Sequence, residues 1–124
     1  MPKVKQNFIM FKGDALEQTW LHVGPFYQTQ GQVVSVDTGD AINFRFHAEG
    51  NPGTVHFTKT RAGGGITVGT SGFYVADDLI TVKFDAADTN ARAVGDYEYQ
   101  LEVVYGGTDP VVVAAGTIEL RERA

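Results

Sequence analysis

Hydrophobic residues in this chain recur with a period of two, and that alternation limits what it can fold into more than any other feature. From Ala41 to Ala48, the residues Ile42, Phe44, Phe46 and Ala48 alternate with Ala41, Asn43, Arg45 and His47. This is the pattern of a strand with one face in a core and the other in water. The turn formers Glu49-Gly50-Asn51-Pro52-Gly53 follow, and then Val55 and Phe57 alternate with His56 and Thr58. A hairpin is expected, with its turn centred on Asn51 and Pro52. That turn sets Ala48 opposite Val55 and Phe46 opposite Phe57 on one face. His47 and His56 then become cross-strand neighbours on the solvent face.

The same period returns along the chain. Ile80, Val82 and Phe84 alternate with Thr81 and Lys83, and Tyr97, Tyr99, Leu101, Val103 and Tyr105 alternate with Glu98, Gln100 and Glu102. Val111 to Val113, Gly116, Ile118 and Leu120 describe a last strand expected to bend or bulge at Gly116. Phe8 to Phe11, Leu16 to Val23 and Gln32 to Val36 read as further strands. Glycine-rich pieces, Ala62-Gly63-Gly64-Gly65 and Gly69-Thr70-Ser71-Gly72, flank short apolar runs at Ile66 to Val68 and Phe73 to Val75. An edge or mobile region is expected there. The one helix-like window, Asp85 to Val94, has alanines but no apolar stripe at helical spacing, so it supplies at most a turn. Seven to nine short strands with turns about every ten residues indicate an antiparallel all-β sandwich or barrel.

With 124 residues, the chain is long enough for one hydrophobic core without a staple, and residues 1–124 read as a single domain. No Cys is present, which excludes a disulfide scaffold, a Cys zinc site, an iron–sulfur cluster and thiol catalysis. The net charge of -5, with no cluster of basic residues, opposes a phosphate backbone, so no nucleic-acid partner is expected. Phe8-Ile9-Met10-Phe11 is too short an apolar run for a secretory signal, and no window reaches a membrane span. A soluble chain made in the cytoplasm, with no membrane partner, is the expectation.

The groupings of reactive side chains are weak. His47 and His56 provide two imidazoles where zinc needs three or four ligands, and solvated surface histidines are the simpler reading. Asp85, Asp88, Asn90 and Asp96 do not follow the spacing of a calcium loop, and Ala87 and Ala91 stand where ligands are wanted. Ser71 sits in a glycine-rich loop rather than a strand-to-helix elbow. Gly63-Gly64-Gly65 lacks the lysine and helix of a phosphate cradle. No catalytic residue, metal or cofactor is expected. Trp20, His22, Phe26 and Tyr27 gather around Gly24-Pro25, which suits a protein interface or a sugar-stacking surface, while core packing of Trp20 is the plainer reading.

One series of segments resembles a known family. Phe8-Ile9-Met10-Phe11-Lys12-Gly13-Asp14, then Ile42-x-Phe44-x-Phe46, then Ile80 to Phe84 with Asp88-Thr89, then Gly95-Asp96-Tyr97-Glu98-Tyr99 through Val103, and finally Ala115-Gly116-Thr117-Ile118-Glu119-Leu120 stand in this order. Together they resemble the immunoglobulin-like domains of tailed-bacteriophage virion proteins, and most nearly the N-terminal domain of phage baseplate upper proteins. Gly95 to Tyr99 looks like the tyrosine corner of Ig sandwiches, with Tyr97 holding the corner and Tyr99 where antibody domains place their second Cys. The chain lacks that disulfide, and Trp20 comes too early to be the core tryptophan of an antibody domain. The longer assembly segments of baseplate upper proteins have no counterpart within these 124 residues.

The resemblance implies an Ig-like antiparallel β-sandwich and a non-enzymatic structural protein of the virion: a tail, baseplate, neck or capsid-decorating subunit. Its partners would be other virion proteins, with the chain a homo-oligomer in the assembled particle. Contacts are expected from residues 1–7 as an extended arm, where Lys3, Val4 and Lys5 would order only against a neighbour. The surface of Trp20, Phe26 and Tyr27 and the stretch Gly63 to Gly72 are the other candidates. The alternative is a carbohydrate-binding module that stacks sugars on Trp20, Phe26, Tyr27 or Tyr74.

Overall fold

The computed structural model describes residues 4–24, 31–107 and 109–122, with Val4 and Lys5 described by their backbone alone. Nine strands and one helical turn follow in chain order: β1 (Val4–Lys5), β2 (Phe8–Phe11), β3 (Leu16–Leu21), β4 (Ala41–Ala48), β5 (Asn51–Thr60), β6 (Ile66–Gly69), β7 (Leu79–Phe84), α1 (Ala86–Thr89), β8 (Gly95–Val104) and β9 (Val111–Arg121). One sheet has the order β1-β9-β8-β4-β5, with β2 also on β9, and the other has the order β3-β7-β6. The chain is an Ig-like β-sandwich. In the lettering of that fold, β3, β7 and β6 are strands B, E and D, while β4, β5, β8 and β9 are C, C′, F and G. The first two strands run parallel to β9.

The alternation explains the layers. Ile42, Phe44 and Phe46 from β4, Tyr99, Leu101 and Val103 from β8, and Ile80, Val82 and Phe84 from β7 are all buried between the sheets. Phe44 stacks on Tyr99 with ring centroids 5.4 Å apart and meets Phe84 edge-on at 5.2 Å. Offset and edge-to-face pairs of this kind add to the burial energy of each ring. Below them, Arg92 latches α1 to the first sheet. Its guanidinium donates to the carbonyls of Asp88 and His56 and lies 5.5 Å from the Phe57 ring.

The β4–β5 hairpin departs from the expected register beyond its first pairs. Phe46 does face Phe57, with rings stacked at 4.6 Å. After that, His47 pairs with Val55 and Ala48 with Asn51. The turn lies at Glu49–Gly50 because Gly50 takes the left-handed conformation, φ 71°. The Asn51–Thr54 segment then bulges, its Asn51 side chain bonding Gly53 N and Thr54 Oγ1. His47 and His56 are therefore not paired, and His47 is buried at 3% exposure.

Two other expectations change. The irregularity in β9 falls near Val113, where the pairing with β8 shifts between Leu101 and Glu102, and Gly116 pairs regularly with Tyr99. Gly116 is required for a different reason: a Cβ there would lie 2.2 Å from the carbonyl oxygen of Gln6. The Gln32 to Val36 segment contributes only an isolated bridge, Val23 to Val33, instead of a strand.

Candidate interaction surface

Trp20 lies inside the sandwich at 2% exposure, which corrects its assignment to a binding surface. It sits on β3, and its Nε1–H donates to the Tyr99 hydroxyl on β8 at 3.1 Å. The same hydroxyl donates to the Gln6 carbonyl at 2.6 Å. Strands B and F carry the inter-sheet disulfide in antibody domains. Here a Trp–Tyr hydrogen bond joins those two strands, and it recruits the N-terminal segment as its third member. Asn7 completes the junction by accepting from Thr117 N at 2.8 Å.

Tyr97 stands at the start of β8, and its hydroxyl donates to the Ala93 carbonyl at 2.7 Å, four residues upstream. That is the bond a tyrosine corner makes. The backbones of Val4 and Lys5 pair with Ala114 and Ala115 of the same chain. Their segment therefore orders against its own β9, which corrects the expectation that only a neighbour could order it. Lys3, Phe26 and Tyr27 lie outside the described residues.

The acidic group around α1 is occupied by structural bonds. The Asp88 carboxylate accepts from Asp85 N at 2.8 Å, and Lys59 Nζ lies 2.7 Å from Asp88 and 3.4 Å from Asp85. Among the described residues, no three His, Cys, Asp or Glu side chains gather to hold a metal ion. His22 is buried, with Nδ1 donating to the Val34 carbonyl and Nε2 bonded to the Tyr105 hydroxyl. Burial holds its pKa below 6.5, against the opposing pull of the Val34 bond and the charges of Asp40 and Asp37.

The exposed apolar residues lie elsewhere. Phe73, Tyr74 and Val75 are 87%, 63% and 41% exposed, three in succession on the β6–β7 loop. From the sequence, Tyr74 is a candidate for sugar stacking, while the run as a whole reads as a short apolar fragment; its joint exposure with Phe73 and Val75 comes from the fold. Ile9 and Phe11 on β2 and Val94 before β8 are also exposed. Nearby, Val94, Asp96, Glu119, Leu120, Arg121 and Glu122 line a groove of 360 Å³.

Beneath Phe73 the loop is anchored by Asp78, whose side chain is buried. Its carboxylate accepts from Ser71 N at 2.7 Å and Ser71 Oγ at 2.6 Å. The Ser71 hydroxyl bond, more than any other influence, holds the Asp78 carboxyl below its ordinary value against the cost of burial. An ionised carboxylate with two donors is a strong anchor. Ser71 is thereby assigned to holding the loop.

No protein-family model matches the chain, and no curated protein matches it. Among solved structures, it is similar to Drosophila OTK, extracellular domains 3-5, at 13% identity and a TM-score of 0.35. The match covers 96% of this chain and 33% of that one. The chain thus spans about a third of the length of that structure's chain.

Proposed function

We propose that this protein is a non-enzymatic structural subunit of a tailed-phage virion that works through protein–protein contacts. The observation that carries the contact reading is the run Phe73-Tyr74-Val75, exposed on a loop tied down by Asp78. Large apolar side chains held out in water characterise interaction surfaces. The virion setting rests on the resemblance of the ordered segments to phage Ig-like domains. The sheet edges offered by β5 and β6 provide further places for a neighbour to add.

The test is size-exclusion chromatography with light scattering across concentration, followed by incubation with virions stripped of the protein. Rebinding to particles, or a discrete ring-sized oligomer, is the expected result. A monomer that ignores particles but is retarded on a polysaccharide column would overturn it in favour of sugar binding. Tyr74 would then be the aromatic to substitute first, since Trp20 is buried.

A further inference from the structure

Three successive exposed apolar side chains would ordinarily fold back onto the nearest surface. Here the backbone between Thr70 and Asp77 is held from within and from outside. Within the loop, Phe73 N donates to Ser71 Oγ at 3.1 Å and Asp77 N to Thr70 Oγ1 at 3.0 Å, beside the double bond from Ser71 to Asp78. From the neighbouring segment, Val36 N donates to the Asp77 carbonyl at 2.8 Å, and Ser35 Oγ donates to the Ala76 carbonyl. Asp77 itself adopts φ 52°, a conformation that costs a non-glycine residue free energy and survives only where the surroundings hold it. The loop is a preorganised finger, so inserting it into a partner loses little conformational entropy.

The chemistry at its base selects the partner. Asp37 and Asp77 are exposed beside the finger. Arg61 directs Nη1 to the backbone carbonyls of Asp37 and Asp40 at 2.8 and 3.0 Å, and no ion pair to the carboxylate of Asp37 or Asp77 is seen among the described residues. An apolar tip with an anionic collar fits an apolar cleft whose rim is cationic. Among the described residues, a second copy of this chain does not offer one: the exposed apolar patch around Phe11 and Val94 has Arg121 and Lys12 paired to Glu119 and Glu122 and adds the carboxylate of Asp96. Carboxylates at the base of the tip also oppose insertion into an anionic lipid surface.

We propose that Phe73, Tyr74 and Val75 are a docking finger for an apolar cleft rimmed by Lys or Arg on a different protein. The inference rests on the assembly reading and adds to it the contact and the chemistry of its partner. The experiment is photocrosslinking in the host cell that makes the chain, with p-benzoylphenylalanine in place of Tyr74 and, as the comparison site, in place of exposed Val55. The crosslinked peptides are sequenced, and the protein they come from is purified for binding measurements.

The expected adduct is specific to position 74 and falls in one foreign protein, among apolar residues flanked by Lys or Arg. Phe73→Ser with Tyr74→Ser should then weaken binding to that protein by about tenfold or more. Asp37→Asn with Asp77→Asn should slow association and reduce its salt dependence. Adducts to the chain itself, adducts to lipid or polysaccharide, or a yield at position 74 no higher than at position 55 would each overturn the proposal. Particle rebinding separates the two readings. If the Phe73→Ser, Tyr74→Ser variant rebinds stripped particles as the parent does, the finger fails and assembly stands. If the parent binds no particle at all, the assembly reading itself fails.

Discussion

At the scale of single residues, the molecule depends on a few atoms where strands from distant parts of the sequence meet. The Tyr99 hydroxyl serves Trp20 Nε1 on one side and the Gln6 carbonyl on the other. Tyr99→Phe leaves a buried donor and a partly buried acceptor unpaired, and a loss of about 2–3 kcal/mol is expected. Tyr97→Phe removes one bond from a half-buried corner, and about 0.5–1.5 kcal/mol is expected. Urea denaturation followed by the emission of Trp20, the single tryptophan, measures both; equal losses would show that the inter-sheet bond has no special weight. Gly116→Ala places a methyl against the Gln6 carbonyl, where β1 hands over to β2, and should cost about 3 kcal/mol or displace the N-terminal segment. Gly69→Ala, with no atom within 4 Å of the added carbon and an ordinary φ, should stay within about 0.5 kcal/mol of the parent. If the two substitutions behave alike in the same denaturation series, the close approach at Gly116 is not a constraint.

Whole elements were legible where local pattern and burial coincide. β4 could be read from alternation alone because one of its faces meets the core and the other meets polar neighbours. The single turn of α1 was readable from alanines without a stripe. The hairpin register was readable only as far as Phe46 and Phe57, because Gly50 moved the turn and the extra residues of β5 were taken up in bulges. The parallel pairing of β1 and β2 with β9 joins residues more than a hundred positions apart, and no local pattern encodes such a pairing. The β6–β7 finger was legible only through Tyr74, for a related reason. Its order comes from Asp78, Val36 and Ser35, whose bonds to it are invisible to a reading of the loop itself. This element carries its own prediction. Ser71→Ala keeps Phe73 and Tyr74 but removes the hydroxyl that bonds the Asp78 carboxylate and the Phe73 amide. Chymotrypsin should cleave after Phe73 or Tyr74 slowly in the parent and several-fold faster in the variant, through local opening and not global unfolding. Equal cleavage rates would show that the loop does not owe its order to Ser71.

For the molecule as a whole, the buried titratable groups set the pH range over which the sandwich is most stable. His22 is held neutral by burial, so its folded pKa lies below the unfolded value of 6.5. The unfolded chain binds that proton first. The contribution of His22 is therefore complete above pH 6.5 and is lost as pH falls through that value toward the lower folded one. Asp78 adds a second loss further down, as pH falls below 3.8 toward its depressed folded value and its carboxylate bonds to Ser71 break. On the alkaline side the sign reverses. Burial pushes Tyr99 up to about 12 and raises Tyr105 as well, so the unfolded chain ionises both near 10 while the folded chain keeps their protons. Their contribution is complete below pH 10 and declines as pH rises past it. Urea midpoints against pH should trace a plateau from about pH 7 to pH 9, an acid limb starting near 6.5 and an alkaline limb starting near 10. His22→Gln should flatten the start of the acid limb and leave the alkaline one in place, whereas Tyr99→Phe should lower the plateau and make the alkaline limb shallower. An acid limb unchanged in His22→Gln would mean that protonation elsewhere starts the loss, and the buried pairing of His22 with Tyr105 and the Val34 carbonyl would not be what ties the loop at residues 31–36 to the second sheet's end at neutral pH.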